Sequence, residues 1–402
     1  MGLNNTPASE RVHIGIFGKR NAGKSSLINA ITGQNLAVVS PIAGTTTDPV
    51  VKSMELLPLG PVLFIDTPGL DDVGELGKMR IEKSYQALNK TDIALLAIDG
   101  TTGMTEDDRI LIKHLKQKNI PFIIVMTKAD EVSSHPVQND LAENTIWVSS
   151  KTGENIWELK ELTAKLLPNG GKTNRIVGDL LQPGDFVILV VPIDSAAPKG
   201  RLILPQQQTI RDILEAGAVS IVVKETELEE TLKNIGKKPK LVITDSQAFA
   251  KVSKITPNDI LLTSFSILFA RYKGDLETAV QGAKALETVH EGDTILISEG
   301  CTHHRQCEDI GTVKLPRWIE EYTGKKLDFK FSSGTEFPQD LSSYKMIIHC
   351  GACTLNEREV KYRMQSAKNQ NVPITNYGIL ISYMQKILAR CIAAFPEFQT
   401  KV

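Results

Sequence analysis

The segment Gly18-Lys19-Arg20-Asn21-Ala22-Gly23-Lys24-Ser25 fits G-x-x-x-x-G-K-S, directly after the apolar run Val12–Phe17 and at the start of a helical pattern, Lys24–Ile31. Glycine at 18 and 23 lets backbone N–H groups, with Ala22 and Ser26 in the same cradle, curl around phosphate oxygens at a helix N-terminus. In that pattern Lys24 reaches the β and γ phosphates and Ser25 ligates Mg²⁺. Asp66-Thr67-Pro68-Gly69 follows the run Val62–Ile65. Asp66 therefore stands where a carboxylate holds Mg²⁺ through water, and Gly69 offers an amide to the γ-phosphate. Thr127-Lys128-Ala129-Asp130 ends the run Phe122–Met126. A carboxylate at 130 can accept both N1–H and N2–H₂ of guanine, whereas adenine has no donor at N1, so the residue type selects GTP over ATP. Ser149-Ser150-Lys151 closes the next run and places a backbone N–H near guanine O6. Each motif alone is weak. Four in this order, each at the C-terminal end of a strand, define a guanine-nucleotide site.

A second constellation lies far downstream. Cys301-Thr302-His303-His304-Arg305-Gln306-Cys307-Glu308 and His349-Cys350-Gly351-Ala352-Cys353 each follow an apolar run by a few residues. Strand ends converge on one crevice in an α/β sheet, which brings the thiols together. Three chemistries compete on spacing alone. Cys301, His303, Cys350 and Cys353 could close a structural zinc site. Cys350 and Cys353 could form a redox dithiol. Three thiolates could hold an iron–sulfur cluster and leave one iron to a weaker ligand, with His303, His349, Glu308 or water as candidates. Cys391 sits on a C-terminal apolar helix and reads as core, and Cys307 as a bystander.

These residues need a scaffold. The runs Val12–Phe17, Val62–Ile65, Ile93–Ile98, Phe122–Met126 and Ile146–Val148 alternate with amphipathic stretches such as Asp107–Lys118, which predicts a doubly wound α/β domain over 1–172. A polar, turn-rich segment around Pro168–Asn174 ends it. A smaller α/β unit, 173–260, carries strands at Phe186–Val191, Ser220–Val223 and Leu241–Thr244, and it has the makings of an association or spacer domain. A third α/β unit, 261–402, carries strands at Thr294–Ser298 and Lys345–Ile348 and helices around Leu276–Glu287, Pro316–Tyr322, Asn356–Asn369 and Ser382–Ala394. The 402 residues are 41% hydrophobic and 23% charged, with 46 Lys plus Arg against 47 Asp plus Glu. That balance excludes a generic nucleic-acid binder, which needs a basic excess. No apolar run approaches a membrane span and no signal peptide opens the chain, so a cytoplasmic protein is expected.

With those residues in view, the first 170 positions resemble the translation-factor-class GTPases of the Era and MnmE type. Pro41-Ile42-Ala43-Gly44-Thr45-Thr46-Thr47-Asp48 is similar to their switch I, which implies Thr46, with Thr45 as runner-up, as the γ-phosphate-sensing Mg²⁺ ligand. Asn21 matches the P-loop Asn that ligates K⁺ in MnmE-like GTPases. The chain departs from that pattern at Thr127, where the group has Asn, and at Ser150, where it has Ala. Leu70 stands where a water-orienting Gln is found in Ras-like proteins, so hydrolysis should be slow without added positive charge. Cys-x-His followed by His-Cys-x-x-Cys behind such a GTPase resembles the FeFe-hydrogenase maturation GTPases, the HydF family, over the whole chain. The resemblance implies a 4Fe-4S cluster on Cys301, Cys350 and Cys353, with His303 and His349 near it. It also implies a homodimeric scaffold that takes up a transient dinuclear iron precursor built with radical-SAM maturases and delivers it to apo FeFe-hydrogenase, without nucleic acid or membrane. The alternative is an RNA- or ribosome-associated GTPase with a C-terminal zinc site.

Overall fold

A computed structural model describes residues 6–33, 50–57, 59–69, 83–135, 144–167, 175–193, 202–300, 309–334 and 336–399. The chain forms two compact units, Met1–Thr173 and Asn174–Val402.

The first unit is built on strands β1 (Val12–Phe17), β2 (Val50–Leu56), β3 (Gly60–Asp66), β4 (Ile93–Asp99), β5 (Phe122–Thr127) and β6 (Thr145–Trp147). Their order is β2-β3-β1-β4-β5-β6, parallel except for β2. Ile93, Ala94, Leu95, Leu96 and Ala97 are all fully buried, as expected of a strand covered on both faces. The covering helices include α1 (Lys24–Thr32), α2 (Glu106–Gln117) and α3 (Ile156–Lys165). In α2, Thr105 caps the first turn reciprocally with Asp108. The strand order reverses at β1, with β3 on one side and β4 on the other. That reversal opens the crevice at the C-terminal end of β1, into which the P-loop leads.

The second unit contains two four-stranded parallel sheets. One has β7 (Phe186–Val190), β8 (Val219–Val223), β9 (Leu241–Thr244) and β10 (Leu261–Ser264) in the order β10-β9-β7-β8. The other has β11 (Thr294–Glu299), β12 (Asp328–Ser333), β13 (Met346–His349) and β14 (Ile374–Asn376) in the order β12-β11-β13-β14. Its helices include α4 (Leu204–Glu215), α5 (Leu228–Asn234), α6 (Phe249–Ile255), α7 (Phe265–Lys273), α8 (Leu276–Ala283), α9 (Leu315–Thr323), α10 (Glu357–Asn369) and α11 (Tyr377–Met384). One apolar core joins the sheets, with Leu189 and Ile243 from the first, Ile297 and Ile348 from the second, and Phe269 of α7 between them in sequence.

Some elements differ from the sequence reading. Leu261–Ser264, assigned there to the third unit, is the edge strand of the β7–β10 sheet, in register with Leu241–Thr244. The helix expected over Ser382–Ala394 is instead α11 followed by a short helix at Leu388–Ile392, because Lys386 takes a left-handed conformation (φ 60°). Strands β2 and β12 carry no strong apolar run, since each lies at a sheet edge, and β14 is only three residues long. Among the described residues no helix is long and apolar enough to cross a membrane.

Candidate functional site

In the first unit the motifs converge at the C-terminal ends of β1, β3, β5 and β6. Gly18 (φ 143°) runs so close to β4 that a Cβ there would sit 2.1 Å from the Ala97 carbonyl oxygen. Asn21 (φ 60°) and Gly23 (φ 80°) are left-handed, which turns the loop into the N-terminus of α1. Ala22 is buried and Ser26 half-buried beside them. The buried Lys24 ammonium donates to the carbonyls of Gly18 (2.9 Å) and Lys19 (2.7 Å), within the loop that is to cradle phosphate. Ser25 Oγ donates to Asp66 Oδ2 at 2.8 Å, so the two groups assigned to Mg²⁺ meet across 41 residues of sequence. Burial raises the Asp66 carboxyl above its usual range, against the Ser25 hydrogen bond and the Lys24 charge. Its Oδ1 is buried with no hydrogen-bond partner among the described residues. A buried carboxylate with one unspent oxygen beside a serine hydroxyl is a donor set that suits a hard divalent cation. Gly69 ends the described segment after Asp66.

The base-recognition loop is tied to the P-loop by a contact that motif reading does not show. Thr127 Oγ1, buried, lies 3.0 Å from the Ala22 carbonyl and 3.1 Å from the Ile98 carbonyl. The hydroxyl that stands in place of the group's Asn amide bridges two elements of the site. Lys128 pairs with Asp99. Burial opposes ionisation of Asp99, but its bonds to Lys128 and Thr101 prevail and hold the carboxyl low. Asp130 Oδ1 accepts from Ser149 Oγ at 2.6 Å and Lys151 Nζ is 3.7 Å from Oδ2, which holds the Asp130 carboxyl below the usual range. The amides of Lys151 and Thr152 donate to Ser149 Oγ, shaping the turn that contains Ser150. Thr45, Thr46 and Leu70 lie outside the described residues.

In the second unit, Ser298 of β11 pairs with His349 of β13, so the chain leaves both strands side by side. Gly300 N–H donates to Cys350 Sγ at 3.0 Å and Ala352 N–H at 3.4 Å, with Ala352 left-handed (φ 54°). Two amides aimed at one sulfur suit a thiolate, and N–H···S bonds of this kind accompany iron–sulfur ligation. Cys353 lies on the same turn, where the buried Lys273 ammonium of α7 donates to the Cys353 (3.3 Å) and Leu355 (2.8 Å) carbonyls. Burial pushes the Cys350 thiol up to about 11 and raises that of Cys353. Thiols raised in this way are protonated at neutral pH, and a metal would have to displace those protons to bind. Cys301, His303, Cys307 and Glu308 lie outside the described residues; Cys301 is next in sequence to Gly300. Among the described residues no three His, Cys, Asp or Glu side chains gather as a metal site.

His349, one of the candidates for the fourth iron, has both ring nitrogens in hydrogen bonds. Its Nε2 is 3.0 Å from Arg363 Nη1 and its Nδ1 is 2.9 Å from the Cys350 carbonyl. Guanidinium only donates, so Nε2 is the acceptor and Nδ1 carries the proton. The ring's one lone pair is thereby used. Burial, and then the Arg363 charge, push its pKa down to about 3. Cys391 is fully buried, as a core residue should be.

Family comparison joins the two sites. A family model described as the hydrogen maturase F dimerization domain matches residues 176–274, and one described as the hydrogen maturase F tetramerization domain matches 277–394. The chain belongs to the hydrogen maturase F family. A model described as a 50S ribosome-binding GTPase matches residues 13–128 of this family member. The tRNA modification GTPase MnmE of Nitrosomonas europaea is 34% identical over 172 residues, 42% of this chain and 37% of that protein. GTPase Era of Halothermothrix orenii is 30% identical over 165 residues, 39% of this chain and 56% of that protein. These matches thus span between about a third and just over half of the relatives' length. A crystal structure of Aquifex aeolicus Era bound to GDP·AlF₄⁻ is 22% identical, with TM-score 0.36, over 56% of this chain and 98% of that one.

Proposed function

We propose that this hydrogen maturase F protein is a GTP-driven scaffold and carrier for hydrogenase metallocluster assembly. Residues 1–172 bind and hydrolyse GTP. Lys24, the P-loop amides and Thr46 hold the phosphates, Ser25 and Asp66 hold Mg²⁺, and Asp130 with the Ser149–Lys151 turn reads guanine. Asn21 contributes to a K⁺ site that supplies positive charge where Leu70 cannot orient water. The second unit carries the association surface and the cluster. Cys301, Cys350 and Cys353 hold a 4Fe-4S cluster whose fourth iron stays open to an exchangeable ligand, with His303, Glu308 and water as candidates. When bound, such a cluster supplies a site to which an iron fragment can attach and from which it can leave. The protein's own groups position the thiolates, donate N–H···S bonds and exclude water. The partners are the radical-SAM maturases, apo FeFe-hydrogenase and a second copy of this chain. The edge strand β8, with Val219 and Val222 exposed, is a surface suited to self-pairing.

The observation that carries this reading is the coincidence of two hydrogen maturase F models, behind a GTPase domain, with a half-buried Cys-x-x-Cys whose first sulfur already receives two amides. Purification without oxygen, with iron and zinc assays, tests it. The protein should be brown, carry about four irons and give a cluster signal on reduction. A colourless zinc protein that binds RNA in a salt-sensitive manner would replace the reading with the RNA-associated alternative.

A further inference from the structure

Arg363, on α10, is fully buried, and no motif of the cluster site includes it. Its Nε donates to the buried Glu359 one turn earlier at 2.9 Å. Its remaining donors fork to the C-terminal ends of three adjacent parallel strands. Nη1 reaches Ser298 Oγ of β11 at 3.2 Å and His349 Nε2 of β13 at 3.0 Å, and Nη2 reaches the Gly334 carbonyl just past β12 at 2.6 Å. Both residues on Nη1 touch the Cys350 backbone. The Ser298 carbonyl accepts the Cys350 N–H at 3.0 Å, and His349 Nδ1–H donates to the Cys350 carbonyl. A planar guanidinium can hold several acceptors at fixed angles, which lysine cannot. Burying it is costly without complete pairing, and Glu359 provides the counter-charge.

We propose that Arg363 is the positioning residue of the cluster site: it locks the ends of β11 and β13 together so that the Gly300 N–H meets the Cys350 sulfur, and it holds the His349 imidazole away from iron. This rests on the cluster reading of Cys301, Cys350 and Cys353. An N–H···S bond favours the more negative, reduced cluster, so a site that loses this constraint is harder to reduce. His349 then serves as a rigid strut between guanidinium and peptide.

The test has a metal-free arm and a cluster-loaded arm on the full chain. In metal-free protein at neutral pH, ¹⁵N resonances of His349 should report the Nδ1–H tautomer. An Nε2–H ring would overturn the proposal even if every Arg363 variant failed to fold. In cluster-loaded protein, R363M/E359L removes both charges together, leaving neither buried alone. It should keep its iron while the reduced-to-oxidised ratio at a fixed poise falls about tenfold, a midpoint change of about 59 mV for one electron. R363K keeps the charge but not the fork, so it should shift the midpoint in the same direction. Full rescue by R363K, or an unchanged midpoint in folded, iron-replete R363M/E359L, overturns the positioning role. Wild-type protein that holds no cluster after anaerobic reconstitution would instead sink the cluster reading, leaving the tautomer result to stand separately.

Discussion

Replacing Thr127 with Val changes one hydroxyl into a methyl group at nearly constant shape and so isolates the tie between the base-recognition loop and the P-loop. Thr127 Oγ1 lies 3.0 Å from the Ala22 carbonyl and 3.1 Å from that of Ile98, in a side chain 2% exposed. A neutral hydrogen bond contributes about 0.5–1.5 kcal/mol net, and a buried carbonyl deprived of its donor costs about 1–3 kcal/mol. Thr127→Val should therefore destabilise the first unit by about 1–2 kcal/mol. The same tie fixes Ala22 in the phosphate loop, so affinity for GDP should weaken about tenfold, equivalent to about 1.4 kcal/mol. Thr127→Ser retains the hydroxyl and should stay within about twofold of wild type in affinity. A fluorescent-GDP titration read alongside a thermal melt measures both effects. If Val, Ser and Thr at 127 give the same Kd and the same melt, the hydroxyl is not a structural tie and the argument fails.

The remaining predictions concern separate parts of the molecule. GTP turnover should be slow and faster in K⁺ than in Na⁺, and Asn21→Ala should abolish the difference; equal rates in both salts remove the K⁺ role. If Asp130 reads guanine, GDP binding should need it ionised and be lost as pH falls through its lowered pKa, whose largest cause is the Ser149 hydrogen bond. Ser149→Ala should accordingly move the acid limb of GDP binding to higher pH, and an unmoved limb contradicts that cause. Cys301→Ala, Cys350→Ala and Cys353→Ala should each strip the iron, whereas Cys391→Ala should leave it bound and cost stability by about 1 kcal/mol or more through the space left in a packed core. Iron assays on the four proteins decide this.

The sequence by itself determined which chemistry is present. The P-loop, Asp66, Asp130 and Ser149 are read from residue type and order, because phosphate, Mg²⁺ and guanine each demand particular donors at strand ends. The central strands were equally legible, since a strand covered on both faces must be a continuous apolar run, as at Ile93–Asp99. Edge strands such as β12 were not, because half of an edge strand meets water and its pattern is diluted. Only the tertiary structure decided what surrounds each chemical group. Thr127 reads in sequence only as a departure from Asn, and the fold places its hydroxyl between two carbonyls. His349 reads in sequence as one of four candidates for the fourth iron, and only the fold shows its lone pair facing Arg363. Glu359 and Arg363, spaced i and i+4 on a helix, are indistinguishable in sequence from an ordinary solvated pair. Their burial beneath three strand ends follows from how α10 packs on the sheet, and spacing along one helix carries no information about that.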